Sequence, residues 1–234
     1  MFKRFGNEAI SLARITWLGH AAFKIEMAGK TVLIDPWLDG NPTTAIKSSE
    51  IKQADVVYVT HDHTDHLGDA FSICKRTDAT FISVIDLAGY AEEQEVKKIL
   101  GLNIGGSAEI GGVKLTMVHA FHTAARGSPT GVIVEGEGKA VYHAGDTGIF
   151  GDMKLLGEIY KLDVALLPIG GYYTMDAKQA AEAVKLLSPK AVIPMHFKTM
   201  PQLAQSADEF TKIVREKTPK VKVVTLKPGE SHQF

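Results

Sequence analysis

Between Thr60 and Asp69 the chain reads THDHTDHLGD, and His61, Asp62, His63, Asp65 and His66 all carry side chains that ligate metals. His61 and His63 are two positions apart, so in an extended segment both leave on the same side and can pinch one cation. Asp65 and His66 fall where the chain should turn into a helix and point elsewhere, which suits a second cation beside the first. Imidazole together with carboxylate suits zinc, iron or manganese. No thiolate stands nearby, which excludes a structural zinc site of the cysteine type.

These residues follow Val56, Val57, Tyr58 and Val59, an apolar β-branched run that reads as a buried strand. A rigid strand ending in a polar turn is a good mount for binding groups. Further ligand types stand at other strand ends. His119 and His122 follow a strand at 114–118, Asp146 follows VYHAG, and His196 follows Ile193-Pro194-Met195. The spacing alone leaves His119 and His122 both open.

The remaining elements must bring those ends together. Residues 15–18, 22–27 and 31–34 read as an opening β-meander. A helix is expected over 69–77, a strand over 80–85 and a second helix over 88–100, stopped by Gly101. Hairpin signals lie around Gly111-Gly112 and Gly136-Glu137-Gly138. Short buried strands at 164–168 and 191–194 flank an amphipathic helix over 177–187, with Asp176 as its N-cap and Ser188-Pro189 as its stop. A helix over 206–217 and a last strand over 221–226 close the chain. Each half runs from strands to strands alternating with helices, which points to two stacked sheets with helices outside. No linker, low-complexity segment or charge block divides residues 1–234, so one domain is expected.

Composition sets the outer bounds. Hydrophobic residues make up 45% and charged residues 23%, ordinary values for a globular protein, and the net charge of −1 gives no electrostatic case for nucleic acid or an acidic membrane. The single cysteine, Cys74, allows no intrachain disulfide and reads as helix packing. No signal-peptide-like or membrane-spanning apolar run is present, and a cytoplasmic location is expected.

THDHTDH resembles the His-x-His-x-Asp-His motif of the metallo-β-lactamase superfamily. IDPW, a histidine after a mid-chain strand, YHAGDTG and the late IPMHF follow in the matching order. WLGHA, IDPW, HAGDTG and PIGGYYTM together look closest to the UlaG-like branch, which includes L-ascorbate-phosphate lactonase. The resemblance implies an α/β fold, a four-layer αββα sandwich with a metal site at one edge of its two sheets. It implies that His61, His63 and His122 bind a first metal ion, that Asp65, His66 and His196 bind a second, and that Asp146 bridges them. The branch's usual form favours His122 over His119, which is left as a support or packing residue. Asp35 of IDPW is expected behind a metal-bound histidine, orienting it.

Two divalent ions are thereby implied, zinc foremost, with manganese, iron or nickel also compatible. Such an ion lowers the pKa of its bound water from ~16 to ~7, and the hydroxide attacks a carbonyl or phosphoryl centre. The expected function is hydrolysis of a small ester, lactone or phosphodiester. Asp65 and His20 of WLGHA are the candidate catalytic residues, Asp65 orienting the nucleophile and moving a proton. His143 is expected to support the site by hydrogen bonding, and Tyr172, Tyr173 and Lys198 to face the substrate. The alternatives are a nuclease or phosphodiesterase of the same fold acting on nucleic acid, and a non-hydrolytic metal or redox protein. The expected partner is a small-molecule substrate, and association into a homo-oligomer is compatible with the resemblance.

Overall fold

The computed structural model describes residues 13–234. The first half of the chain builds one sheet from β1 (Arg14–Gly19), β2 (Ala22–Met27), β3 (Lys30–Ile34), β4 (Val56–Tyr58), β5 (Thr80–Val84) and β6 (Ile99–Leu102). Along this half α1 (Thr64–Leu67) and α2 (Ala70–Thr77) follow β4, and α3 (Ile85–Glu93) follows β5. The second half builds the other sheet from β7 (Ser107–Ile110), β8 (Val113–His119), β9 (Thr130–Gly136), β10 (Lys139–His143), β11 (Val164–Pro168), β12 (Ala191–Met195) and β13 (Lys222–Val223). Here α4 (Met153–Tyr160), α5 (Ala177–Leu187) and α6 (Asp208–Lys217) lead into β11, β12 and β13. The last strand, β14 (Ser231–Gln233), crosses back to pair antiparallel with β1.

Among the described residues both sheets have seven strands, ordered β14-β1-β2-β3-β4-β5-β6 and β13-β12-β11-β10-β9-β8-β7. Each is antiparallel at one end and parallel at the other. The central parallel strands read as continuous apolar runs because both of their faces are covered. β4, β11 and β12 are buried at every position. Their side chains meet in one continuous core that includes Tyr58, Phe81, Ile133, Tyr142 and Ile193. This is the expected αββα sandwich.

Three sequence expectations change. The helix expected over 88–100 begins at Ile85 and ends at Glu93, because Glu95 takes a left-handed backbone (φ 61°) that no helix continues through. Residues 99–102, which include the expected helix end at 99–100 and its stop at Gly101, instead pair parallel with β5 as β6. The strand expected over 221–226 is ordered as strand only at Lys222–Val223, since β12 offers it just two register positions. α4 and β14 were not legible. α4 is short, and Gly157 inside it lowers its helix propensity. β14 is polar throughout and is held by its pairing to β1.

Candidate metal centre

β1, β3, β4, β8, β10 and β12 all end at the same edge of the sandwich. The turns that leave them carry His20, Asp35, His61 to His66, His122, Asp146 and His196. Three groups of donor atoms converge there, each with all its members within 4.8 Å of one another. One is His61, His63 and His122, the second is His20, Asp65, His66 and His196, and the third is His61, His66 and Asp146.

Asp146 lies among the histidines. Its Oδ2 is 3.0 Å from His196 Nε2 and 3.5 Å from His122 Nε2, and its Oδ1 is 3.2 Å from His66 Nε2. Gly145 delivers it: its backbone has φ 62°, and a Cβ there would press against the Thr130 carbonyl and the Thr60 side chain. The Gly145 N–H donates to His143 Nδ1 (3.1 Å), so the ring proton sits on Nε2 and is donated to the Ala21 carbonyl (2.9 Å). His143 thus props the turn beneath Asp146. Burial lowers its pKa and keeps it neutral.

His61 and His66 are backed by oxygens. Asp35 Oδ2 accepts from His66 Nδ1 (2.7 Å) and from Thr60 Oγ1 (2.8 Å), while Asp35 Oδ1 accepts from the Thr60 N–H (2.8 Å). Thr60 Oγ1, having donated its proton to Asp35, accepts from His61 Nδ1 at 3.0 Å. Both histidines therefore hold their outer protons on Nδ1 and aim Nε2 inward, the arrangement metal-binding imidazoles need. Thr60 carried no signal beyond standing directly before the first histidine.

His20 bridges two groups, with Nε2 3.2 Å from Asp65 Oδ2 and Nδ1 2.6 Å from Thr199 Oγ1. Its carbonyl accepts from the His196 N–H (3.1 Å) and the Trp17 indole N–H (2.9 Å), tying the two sheets together at the site. His20, Asp35 and His196 all adopt left-handed backbones (φ 54°, 48° and 55°). Non-glycine residues are held this way at a cost of ~1–3 kcal/mol each, a feature that gathers at functional sites.

The charges call for cations. Burial lowers the pKa of His20 to about 4 and that of His61 to about 2, so both are neutral. His122 is lowered in the same way. Burial disfavours ionised carboxylates too, but at Asp146 the neighbouring His196 and His66 outweigh it and hold the group well below its usual range. At Asp35 the His66 ring does the same, and at Asp65 the His20 hydrogen bond and the His66 ring do. Burial likewise opposes charge on His66, yet Asp146 and Asp35 on either side raise it well above its ordinary value. Three ionised carboxylates gathered in so buried an edge are costly in a low-dielectric interior without positive charge beside them.

Polar satisfaction points the same way. Among the described residues, His66 Nε2, Asp146 Oδ1 and both ring nitrogens of His196 are buried and make no well-aligned hydrogen bond, close as some of them lie to one another. His61 Nε2, left as an acceptor by its tautomer, stands 3.0 Å from His63 Nδ1, so both ring nitrogens point at one spot that a shared proton or a cation fills. A set of imidazole and carboxylate donors arranged in this way fits divalent cations.

The other sequence candidates lie further out. The His119 ring packs on Phe150 (4.2 Å between centroids) and Phe121 (5.5 Å), so it supports aromatic packing rather than the donor groups. Tyr172 and Tyr173 are exposed and pack edge to face on each other, and the Tyr173 hydroxyl accepts from Gln202. Lys198 is exposed and lines a cavity of about 400 Å³ with Trp17, Phe197 and Leu226. Cys74 is buried in α2, away from the donors.

This edge-of-sandwich donor cluster defines a class of metal-site proteins, and comparison with known sequences gives the family. Residues 14–196 match the beta-lactamase superfamily domain. The chain belongs to that superfamily and falls among its metal-dependent hydrolases. It is 50% identical over 229 residues to a UPF0173 metal-dependent hydrolase of Methanopyrus kandleri, covering 94% of this chain and 99% of the relative. The solved structure of Igni18, a metallo hydrolase of the hyperthermophilic archaeon Ignicoccus hospitalis, shares 41% identity and superposes with a TM-score of 0.88 over 96% of this chain and 99% of its own. An isothiocyanate hydrolase from Delia radicum gut bacteria shares the fold at 19% identity, with a TM-score of 0.76 over 94% of this chain and 98% of its own. Among the described residues no helix is long and apolar enough to cross a membrane.

Proposed function

We propose that this chain is a binuclear metal-dependent hydrolase of a small ester, lactone or phosphodiester. His61, His63 and His122 would hold one divalent ion, Asp65, His66 and His196 the other, and Asp146 would touch both. The observation that carries the reading is the position of Asp146, with one carboxylate oxygen near His122 and His196 and the other near His66. Zinc is the foremost ion for this donor set, with manganese, iron or nickel compatible. When bound, such ions lower the pKa of a water toward ~7 and stabilise negative charge on substrate oxygens.

The chain's own groups do the rest. Asp65 is kept ionised and is partly open to solvent, with a side chain 20% exposed. It would take a proton from the attacking water and pass it to the leaving oxygen. His20 Nε2–H holds that carboxylate in place, with Thr199 behind it. Asp35 and Thr60 fix the two ring orientations. Tyr172 and Tyr173, exposed on the loop before α5, and Lys198, two residues beyond His196, are the candidate substrate-facing side chains. The near-neutral charge favours a small-molecule substrate over nucleic acid.

The test is metal content of protein purified without added metal, measured alongside hydrolysis of bis(p-nitrophenyl) phosphate and a simple lactone. Two ions per chain with metal-dependent turnover support the reading and rank the substrate classes. Failure to bind zinc or manganese removes it.

A further inference from the structure

Residues 120–129, between β8 and β9, form neither helix nor strand, yet they return His122 to the donor groups. The His122 ring lies 5.1 Å from those of both His61 and His63. A segment of this kind holds a side chain in place only if it is pinned. It is pinned on both sides of His122. Upstream, the Phe121 N–H donates to Thr147 Oγ1 (3.0 Å) and its carbonyl accepts from the Gly148 N–H (3.0 Å). Thr147 directly follows Asp146.

Downstream the anchor is Asp62, which stands between His61 and His63. In extended backbone it leaves opposite to its two neighbours, so the histidines face the cluster and the carboxylate faces this loop. Its Oδ1 accepts from the Ala125 N–H (2.8 Å), and its Oδ2 pairs with Arg126 Nη1 (3.2 Å). The Asp62 side chain is only 2% exposed. The Arg126 guanidinium lies 3.8 Å over the Tyr90 ring of α3, which fixes the far end of the pair. Gly127 (φ 67°) lets the backbone close on the same surface, where a Cβ would stand 2.8 Å from Val84 Cγ1.

We propose that Asp62 is a positioning residue that sets the place of His122 and thereby the affinity of the ion site formed by His61, His63 and His122. The inference rests on the binuclear reading above. One segment, HDH, then both supplies two ligands and fixes the third through the residue between them.

The experiment uses the full chain, stripped of metal and titrated with zinc against a chromophoric chelator. Wild type is compared with Asp62→Ala, Asp62→Asn and Arg126→Ala, with hydrogen exchange at the Ala125 amide and thermal unfolding of each metal-free form. Asp62→Ala is expected to weaken one of two zinc sites by about 10–100-fold, the usual scale for losing a group that orients a ligand. The other site and the unfolding temperature stay near wild type, and the Ala125 amide loses protection. Asp62→Asn, whose amide oxygen still accepts from Ala125, recovers most of the affinity. Should Asp62→Ala not fold, Arg126→Ala carries the test through a smaller loss at the same site.

Two undiminished zinc sites in Asp62→Ala overturn the inference while leaving the metal-centre reading intact. Equal weakening of both sites with a lowered unfolding temperature also overturns it, since Asp62 would then be only structural. A wild-type chain that binds no zinc removes the metal-centre reading and the inference with it. The Ala125 exchange rate still reports whether the anchor exists.

Discussion

Asp35→Asn isolates the orientation of one histidine from everything else at the site. Asp35 is fully buried and has a left-handed backbone (φ 48°). Asparagine accepts that conformation about as well as aspartate, so the turn is kept. With its oxygen left on the Thr60 N–H, the new amide nitrogen replaces the oxygen that lies 2.7 Å from His66 Nδ1 and 2.8 Å from Thr60 Oγ1. His66 must then accept at Nδ1 and carry its proton on Nε2, the atom that faces Asp146 at 3.2 Å. Rotating the amide instead sets its NH₂ against the Thr60 N–H. Either way a hydrogen bond to a charged group, worth about 1.5–3 kcal/mol, is lost. Affinity for the ion at Asp65, His66 and His196 should fall by about 10–100-fold, or ~1.4–2.7 kcal/mol. Chelator competition measures the affinity, and ring ¹⁵N shifts of His66 report the tautomer. Unchanged affinity, or lost affinity with the Nδ1 proton still in place, would refute the orientation argument.

Other outcomes follow from the same geometry. Asp146→Ala should lose metal from both positions and cut hydrolysis more than about 100-fold with the fold kept; metal analysis and far-UV circular dichroism check this, and two retained ions would sink the bridging assignment. His122→Ala should lose one ion per chain, whereas His119→Ala should keep both and cost only about 1 kcal/mol of aromatic packing, read by urea unfolding. Burial pushes the Cys74 thiol up to about 12, so at pH 8 roughly 10⁻⁴ of it is the reactive thiolate. Dithionitrobenzoate should therefore label the native chain very slowly, about tenfold faster per added pH unit, and label it promptly in guanidinium.

Much of this was legible because the signals are local. Val56 to Val59 followed by HDHTDH announces a buried strand and a ligand-rich turn in a few residues. The two-sheet architecture was readable from strands giving way to strand-helix alternation in each half. What was hidden depends on contacts between distant segments. Nothing near Asp62 in sequence reveals that it holds the loop bearing His122. Nothing near Thr199 or Thr147 marks them as partners of His20 and Phe121. The choice between His119 and His122 was open to spacing, but β8 runs through His119 in register with Thr130 and turns its ring onto Phe150. Residues 99–102 misled because a short apolar run fits a helix end as well as an edge strand, and only pairing with β5 decides.

The site sits on a seam. The turn after β4 belongs to one sheet, while His122, Asp146 and His196 belong to the other. The bonds that stitch the seam join distant residues: His143 to Ala21 across 122 positions, and His20 to Thr199 across 179. Contacts of such range form late in folding and open early in partial unfolding. Ions held across the seam would act as removable rivets, entering after the two sheets have docked and leaving when the edge first loosens. On heating, catalysis and bound metal should thus disappear before either sheet melts, as two separate transitions rather than one.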